Sequence, residues 1–142
     1  PLMAWSDEVA ANAQSWATQT GGSMQHSATG FRQNVAGHWM LGENLASGVT
    51  DEGAVDMFYN EIKDTPGGRG LVTSFGSGTG HYTQVVWKES TSLGCGTHGR
   101  LLVCQYGPSG NVQGQFSSQV TGPVKARSEC SGGGGASPTP SP

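Results

Sequence analysis

Cys95 and Cys104 flank the turn-like segment Gly96-Thr97-His98-Gly99-Arg100, and the apolar run Leu101-Leu102-Val103 leads into the second cysteine. Glycine permits the reversed backbone of a tight turn, and aliphatic, β-branched residues beside it favour strands. The arrangement predicts a β-hairpin with the two sulfurs facing each other across it. Joined, they would stabilise the fold by about 2–3 kcal/mol, chiefly by restricting the unfolded chain. The alternative is a pair of buried free thiols. No CxxC spacing occurs, which argues against a thiolate zinc site. Cys130 lies past the last apolar segment, beside a glycine run. It is read either as a partner for a segment outside this sequence or as a free thiol.

The 142 residues suit one domain able to bury a core without metal or crosslink support. Net charge is −3 and the seven basic residues never form a run, so a nucleic-acid surface is excluded. No stretch approaches the roughly 18 apolar residues of a membrane span. Pro1 is not a natural initiator, so the chain is read as a mature or trimmed product whose lack of a leader says nothing about secretion.

Ser6 is a candidate N-cap for a helix in which Asp7 and Glu8 favour the positive end of the dipole. Val9, Ala13, Trp16 and Ala17 recur at helical spacing up to Gly21-Gly22. A second helix is expected from about Asp51 to Lys63, with Val55, Phe58, Tyr59 and Ile62 as its stripe and Glu61 roughly 110° from the stripe's centre. That phase puts Glu61 on a flank, where a carboxylate can line a cleft. Between the two, a short helix is expected near Arg32 to Ala36, with loops elsewhere. Glycine and small polar residues from Thr65 to Gly80 read as a long mobile loop. Strands are expected at Tyr82–Trp87, Leu93–Gly96, Leu101–Tyr106 and around Val112–Phe116. Helices first and a mostly antiparallel sheet afterwards make an α+β fold. Residues 1–122 are read as the domain and 123–142 as a flexible Gly/Ser/Pro/Thr-rich tail, of a kind often O-glycosylated in secreted proteins.

In Gly80-His81-Tyr82-Thr83-Gln84-Val85-Val86-Trp87, one imidazole stands at the entrance of the expected strand, able to bind a metal, carry a proton or accept a hydrogen bond. Extended to Ser90, this passage resembles the first signature of the CAP superfamily, which comprises cysteine-rich secretory proteins, antigen 5 and pathogenesis-related group-one proteins. Leu101 to Val112 resembles its second signature, and Gly42-Glu43-Asn44-Leu45-Ala46 is similar to its Gly-Glu-Asn core. The similarity runs from Pro1 to about Phe116. It implies a three-layer α-β-α sandwich with a central cleft lined by two histidines and two acids. Carried over, these are His26 (with Ser27 beside it), Glu43, Glu61 and His81. The set suits zinc, or a hydrated magnesium ion held through the carboxylates. Without metal it could form a hydrogen-bonded network.

His38, in Gly37-His38-Trp39, competes with His26 for its place, and His98 in the expected turn is read as exposed and without function. Each member also has a plain structural reading: His81 packed, Glu43 accepting N–H groups of a turn, Glu61 a solvated helix residue. The chain departs from the family in lacking its usual N-terminal helix. Of three disulfides common in plant members only the equivalent of Cys95–Cys104 remains, and no Pro-Tyr ending for peptide release follows Asn111. What the resemblance implies is a secreted, extracellular module that binds a lipid, sterol or other small apolar ligand, with Trp39, Phe58, Tyr59 and Phe75 available near the loops. The alternatives are a scaffold for a receptor or microbial surface, and a metal-dependent hydrolase or peptidase with Glu43 or Glu61 as base. No GxSxG elbow is present.

Overall fold

The structure, a computed structural model, describes residues 3–124. Cys130 and nearly all of the expected tail lie outside them. Strand β1 (Ala4–Trp5) leads into helix α1 (Asp7–Gln19); a hairpin of β2 (Gln33–Val35) and β3 (His38–Met40) follows, then β4 (Gly42–Ser47). Helices α2 (Glu52–Asn60) and α3 (Gly80–Val86), strands β5 (Ser92–His98) and β6 (Leu101–Gly107), and the short helix α4 (Phe116–Gln119) follow among the described residues. The main sheet runs β1-β5-β6-β4. Only the β1–β5 pair is parallel, which makes the sheet mostly antiparallel, as expected.

Helix α1 begins as its sequence dictates. The Ser6 hydroxyl accepts from the Val9 N–H at 3.2 Å, with Asp7 and Glu8 in the first turn. Val9, Ala13 and Ala17 are fully buried against the sheet. Because these side chains are small, the helix lies close, and Gly94 and Gly96 of β5 provide the room. A β-carbon on either glycine would overlap the α1 backbone at Ala10 or Gln14. On this face Leu45, Leu101 and Val103 meet Ala13 and Ala17. On the other face Ala46, Leu102, Cys104 and Tyr106 meet Ala54 and Phe58 of α2, with Val85 of α3 packed against them. Period-two alternation along β4 and β6 thus feeds two cores, and the result is the expected α-β-α sandwich.

Cys95 and Cys104 are directly opposed in the β5–β6 register and joined, Cα to Cα 4.1 Å. The hairpin reading holds, with a tighter turn than expected, at Gly99 and Arg100. His98 ends β5 and is exposed.

Four expectations are corrected. Tyr82–Trp87 is not a strand: Gly80–Val86 is a helix in which Tyr82, Thr83 and Gln84 are all buried, a run no half-buried strand can show. Strand-favouring side chains are overridden here by packing, and by a cap supplied from Glu61. Arg32–Ala36 is not a helix. A 3-10 turn covers Thr29–Arg32, and a hairpin follows with positive φ at Asn34 inside β2 and at Ala36 and Gly37 in its turn. Gly42–Ser47, expected as loop, is a strand buried through Ala46 on both faces, which erases the alternation that would reveal it. No strand forms at Val112–Phe116, where Asn111 and Gly114 have positive φ. The second helix is shorter than expected: Asp51 caps it, and its last turn, Glu61–Asp64, tightens to 3-10. The Thr65–Gly80 connection is anchored at Gly70, whose N–H donates to the Thr65 hydroxyl and whose carbonyl accepts from Tyr82.

Candidate functional site

Glu43 points from β4 toward the α1 side of the sheet, and its side chain is fully shielded from solvent. Four donors occupy its carboxylate. Oε1 accepts from His26 Nδ1 at 2.8 Å and the Ser27 N–H at 2.9 Å. Oε2 accepts from the Ser27 hydroxyl at 2.8 Å and from Gln105 Nε2 at 2.9 Å. Burial alone would push this carboxyl's pKa up. The hydrogen bonds from His26, Gln105 and Ser27 outweigh it and hold the group below its ordinary value. Arg32 Nε lies 4.0 Å from Oε1, and its guanidinium is engaged by the Ser27 hydroxyl and by the carbonyls of Ser27 and Leu41. Gln105 is itself completely buried and accepts from Asn12 of α1 at 2.8 Å. A relay therefore runs from α1 through Gln105 and Glu43 to His26.

Glu61 works differently. Its Oε1 accepts the N–H groups of His81 and Tyr82 at 2.9 and 3.1 Å, and its Oε2 faces His81 Nδ1 at 2.7 Å. A helix leaves its first N–H groups without partners. Thr79 makes no side-chain cap to α3, so Glu61 caps that helix from elsewhere in the chain and orients its imidazole in the same act. Phe58 stacks against the His81 ring, centroids 5.0 Å apart, and Asn44 Nδ2 donates to the His81 carbonyl at 3.2 Å and to the Tyr106 hydroxyl at 3.1 Å.

Both imidazoles present Nδ1 to a carboxylate, which favours the proton on Nδ1 and leaves each Nε2 with a lone pair. Both line one cavity of about 410 Å3, together with Arg32, Asn44, Phe75 and Gln84 among others. Glu61 does not line it, standing behind His81. The four expected residues thus form two acid–imidazole pairs sharing a cleft. Among the described residues no group of three or more His, Cys, Asp or Glu is gathered closely enough to hold a metal by itself.

His38 is not part of this cleft: its Nε2 lies 3.2 Å from the Ser92 hydroxyl and its ring covers Gly107. Of the four aromatic residues near the loops, only Phe75 lines the cavity. Phe58 is buried, Tyr59 packs edge-on to Tyr82, and Trp39 is 71% exposed on the β2–β3 hairpin. Gln105, Arg32 and Asn12 escaped the sequence reading. One signal was available for Gln105: it is the polar residue inside the otherwise apolar run of β6, where a buried amide needs a partner.

A three-layer sandwich whose cleft carries two acid-oriented imidazoles defines a recognisable class. The family pattern of the cysteine-rich secretory proteins, CAP, matches residues 1–106, and the chain belongs to that family. Scoloptoxin SSD976 of Scolopendra dehaani is 40% identical over 123 residues, covering 78% of this chain and 56% of the relative. Protein PRY2 of Saccharomyces cerevisiae is 35% identical over 130 residues, covering 83% and 34%. The chain therefore spans little more than half, or less, of these relatives' length. A crystal structure of NaASP2 with Zn2+ superposes with a TM-score of 0.65 at 30% identity, covering 89% of this chain and 73% of that one. No helix among the described residues is long and apolar enough to cross a membrane.

Proposed function

We propose that this chain is a secreted CAP-domain binding module whose cleft holds a metal ion and takes up a lipid, sterol or other small apolar ligand. The observation that carries the reading is the pairing of each imidazole with a carboxylate through Nδ1, both rings lining one cavity. A carboxylate behind a ligating histidine fixes its tautomer and strengthens Nε2 as a donor. The donor set suits zinc, with His26 and His81 as ligands and the remaining positions open to water or a ligand. Magnesium suits it poorly, because it wants oxygen ligands and both carboxylates are spent on internal donors. When bound, zinc would supply Lewis acidity toward a ligand oxygen. Secretion is supported by the Cys95–Cys104 disulfide, which persists in oxidising compartments.

The hydrolase reading is weaker on the same geometry, since four donors leave Glu43 no free position from which to act as a base. A scaffold role finds its support in Trp39, whose exposed ring on the hairpin is the kind of side chain that anchors a protein partner.

Zinc calorimetry on the wild type, His26→Ala and His81→Ala tests the metal. Each variant should bind at least about tenfold more weakly, and unchanged isotherms would remove the cleft from metal binding. Sterol and fatty-acid titrations test the ligand; no saturable binding at micromolar protein would overturn that half of the reading.

A further inference from the structure

Phe75 is a wall shared by two cavities. It lines the cleft with His81 and Gly80, and it also lines a neighbouring cavity of about 290 Å3 bounded by Pro66, Val72, Gly76 and Thr79 among others. Among the described residues no other belongs to both. Along the connecting segment the lining splits: Ser77 borders the cleft, while Gly76 and Gly78 border the second cavity.

The ring is lightly held. It is 60% exposed, touches Phe116 edge-on at 6.4 Å, and rests over the bare α-carbon of Gly80, where an added β-carbon would come within 3.1 Å of it. Trp87, by contrast, packs on the same Phe116 at 5.1 Å and is buried. An exposed side chain exchanges rotamers quickly, so Phe75 can leave its position without disturbing the core.

We propose that Phe75 is a length-selecting partition. Turned outward, it joins the cleft and the second cavity into one slot for an unbranched amphiphile. The polar end of that ligand lies at the imidazoles and Arg32, and its chain runs past Phe75 toward Val72 and Pro66. Asp64, the one charged residue among the described residues bordering the second cavity, sets a further condition: the far end of the chain must not be an anion. This inference rests on the reading of the cleft as an apolar-ligand site and adds its ligand's shape and direction.

The test is calorimetry with octanoate, dodecanoate, hexadecanoate and the sixteen-carbon dicarboxylate, below their micellar concentrations, on the wild type, Gly76→Leu and Phe75→Ala. Gly76 has an ordinary φ, and a β-carbon there meets only the Thr79 hydroxyl at 3.4 Å, so a side chain can start from that wall of the second cavity without backbone strain. In the wild type each methylene buried beyond the cleft should tighten binding up to about fourfold. Gly76→Leu should abolish that gain while leaving octanoate unchanged, which also shows the variant folded. Phe75→Ala should speed hexadecanoate association, and the dicarboxylate should bind at least tenfold more weakly than hexadecanoate. Binding independent of chain length, equal length dependence in wild type and Gly76→Leu, or equal binding of the dicarboxylate overturns the partition. Absence of saturable binding at every length would instead remove the apolar-ligand reading beneath it.

Discussion

His26 and His81 face their carboxylates at almost the same distance, 2.8 and 2.7 Å, yet the two pairs are built from different materials. Glu43 is a fully shielded strand residue held by four donors, three of them side chains and one a backbone N–H. Glu61 is partly exposed and held by the start of a helix. His26 is mostly solvent-facing on a loop, whereas His81 is fastened by its own backbone and by Phe58. The first pair has a rigid acid and a loose imidazole. In the second, acid and imidazole are fixed together by one helix terminus. Similar chemistry in one cleft can thus be reached through burial or through capping, and the two routes fail differently.

The largest effect should come from deleting the buried acid. Glu43→Ala leaves the Ser27 hydroxyl and N–H and the Gln105 amide without their shared acceptor, and removes the carboxylate 4.0 Å from Arg32. The expected cost is about 3–5 kcal/mol, measured by urea denaturation, because several buried donors are orphaned together. Glu61→Ala removes a cap and should cost about 1–2 kcal/mol. Equal losses in the two variants would erase the contrast. Glu61→Gln sharpens it: the amide oxygen can still accept from the α3 N–H groups, so stability should stay within about 0.5 kcal/mol of wild type. Zinc affinity should nevertheless fall about 10-fold to 100-fold as His81 loses its anionic partner.

Acid should find the buried pair next. The folded Glu43 carboxyl titrates below its ordinary value of 4.5. Between the unfolded and folded pKa values the unfolded chain therefore binds the extra proton, and lowering the pH favours unfolding. The stability Glu43 contributes is complete above the ordinary carboxylate range and is lost as pH falls through 4.5 toward the folded value. Urea midpoints measured from neutral pH down to about pH 3 should fall more steeply for wild type than for Glu43→Gln. Parallel curves would mean that Glu43 is not held anionic by its neighbours.

The same contrast separates what the residues announced from what they concealed. Helix α1 was legible because cap, charge and apolar spacing are all local to Ser6–Ala17. The β5–β6 hairpin was legible because two opposed cysteines fix its register and Gly99 its turn. The four residues of the two acid–imidazole pairs were legible only through motif resemblance, although the phase of Glu61 had put it beside a cleft rather than in the core. Helix α3 was hidden: Tyr82, Val85, Val86 and Trp87 favour strands, and the carboxylate that starts the helix lies some twenty residues upstream in Glu61. Strand β4 was hidden because both of its faces are buried, and a strand with two cores has no alternation to read. Neither failure is one of propensity alone, since in both the deciding partner is distant in sequence.

The smallest test concerns how far the support of the first pair reaches. Asn12 on α1 donates to Gln105 and to the Phe31 carbonyl, and Gln105 passes its own donor to Glu43. Asn12→Ala should cost about 1 kcal/mol, a typical value for hydrogen bonds lost at a half-buried site. Its more telling readout is the imidazole nitrogen spectrum. A relay running only through Gln105 should shift the His26 resonances and leave those of His81 unmoved, because Glu61 takes nothing from α1. Matching shifts at both rings would mean that the two pairs respond to the sandwich as one body, and that their separate construction has no separate consequence.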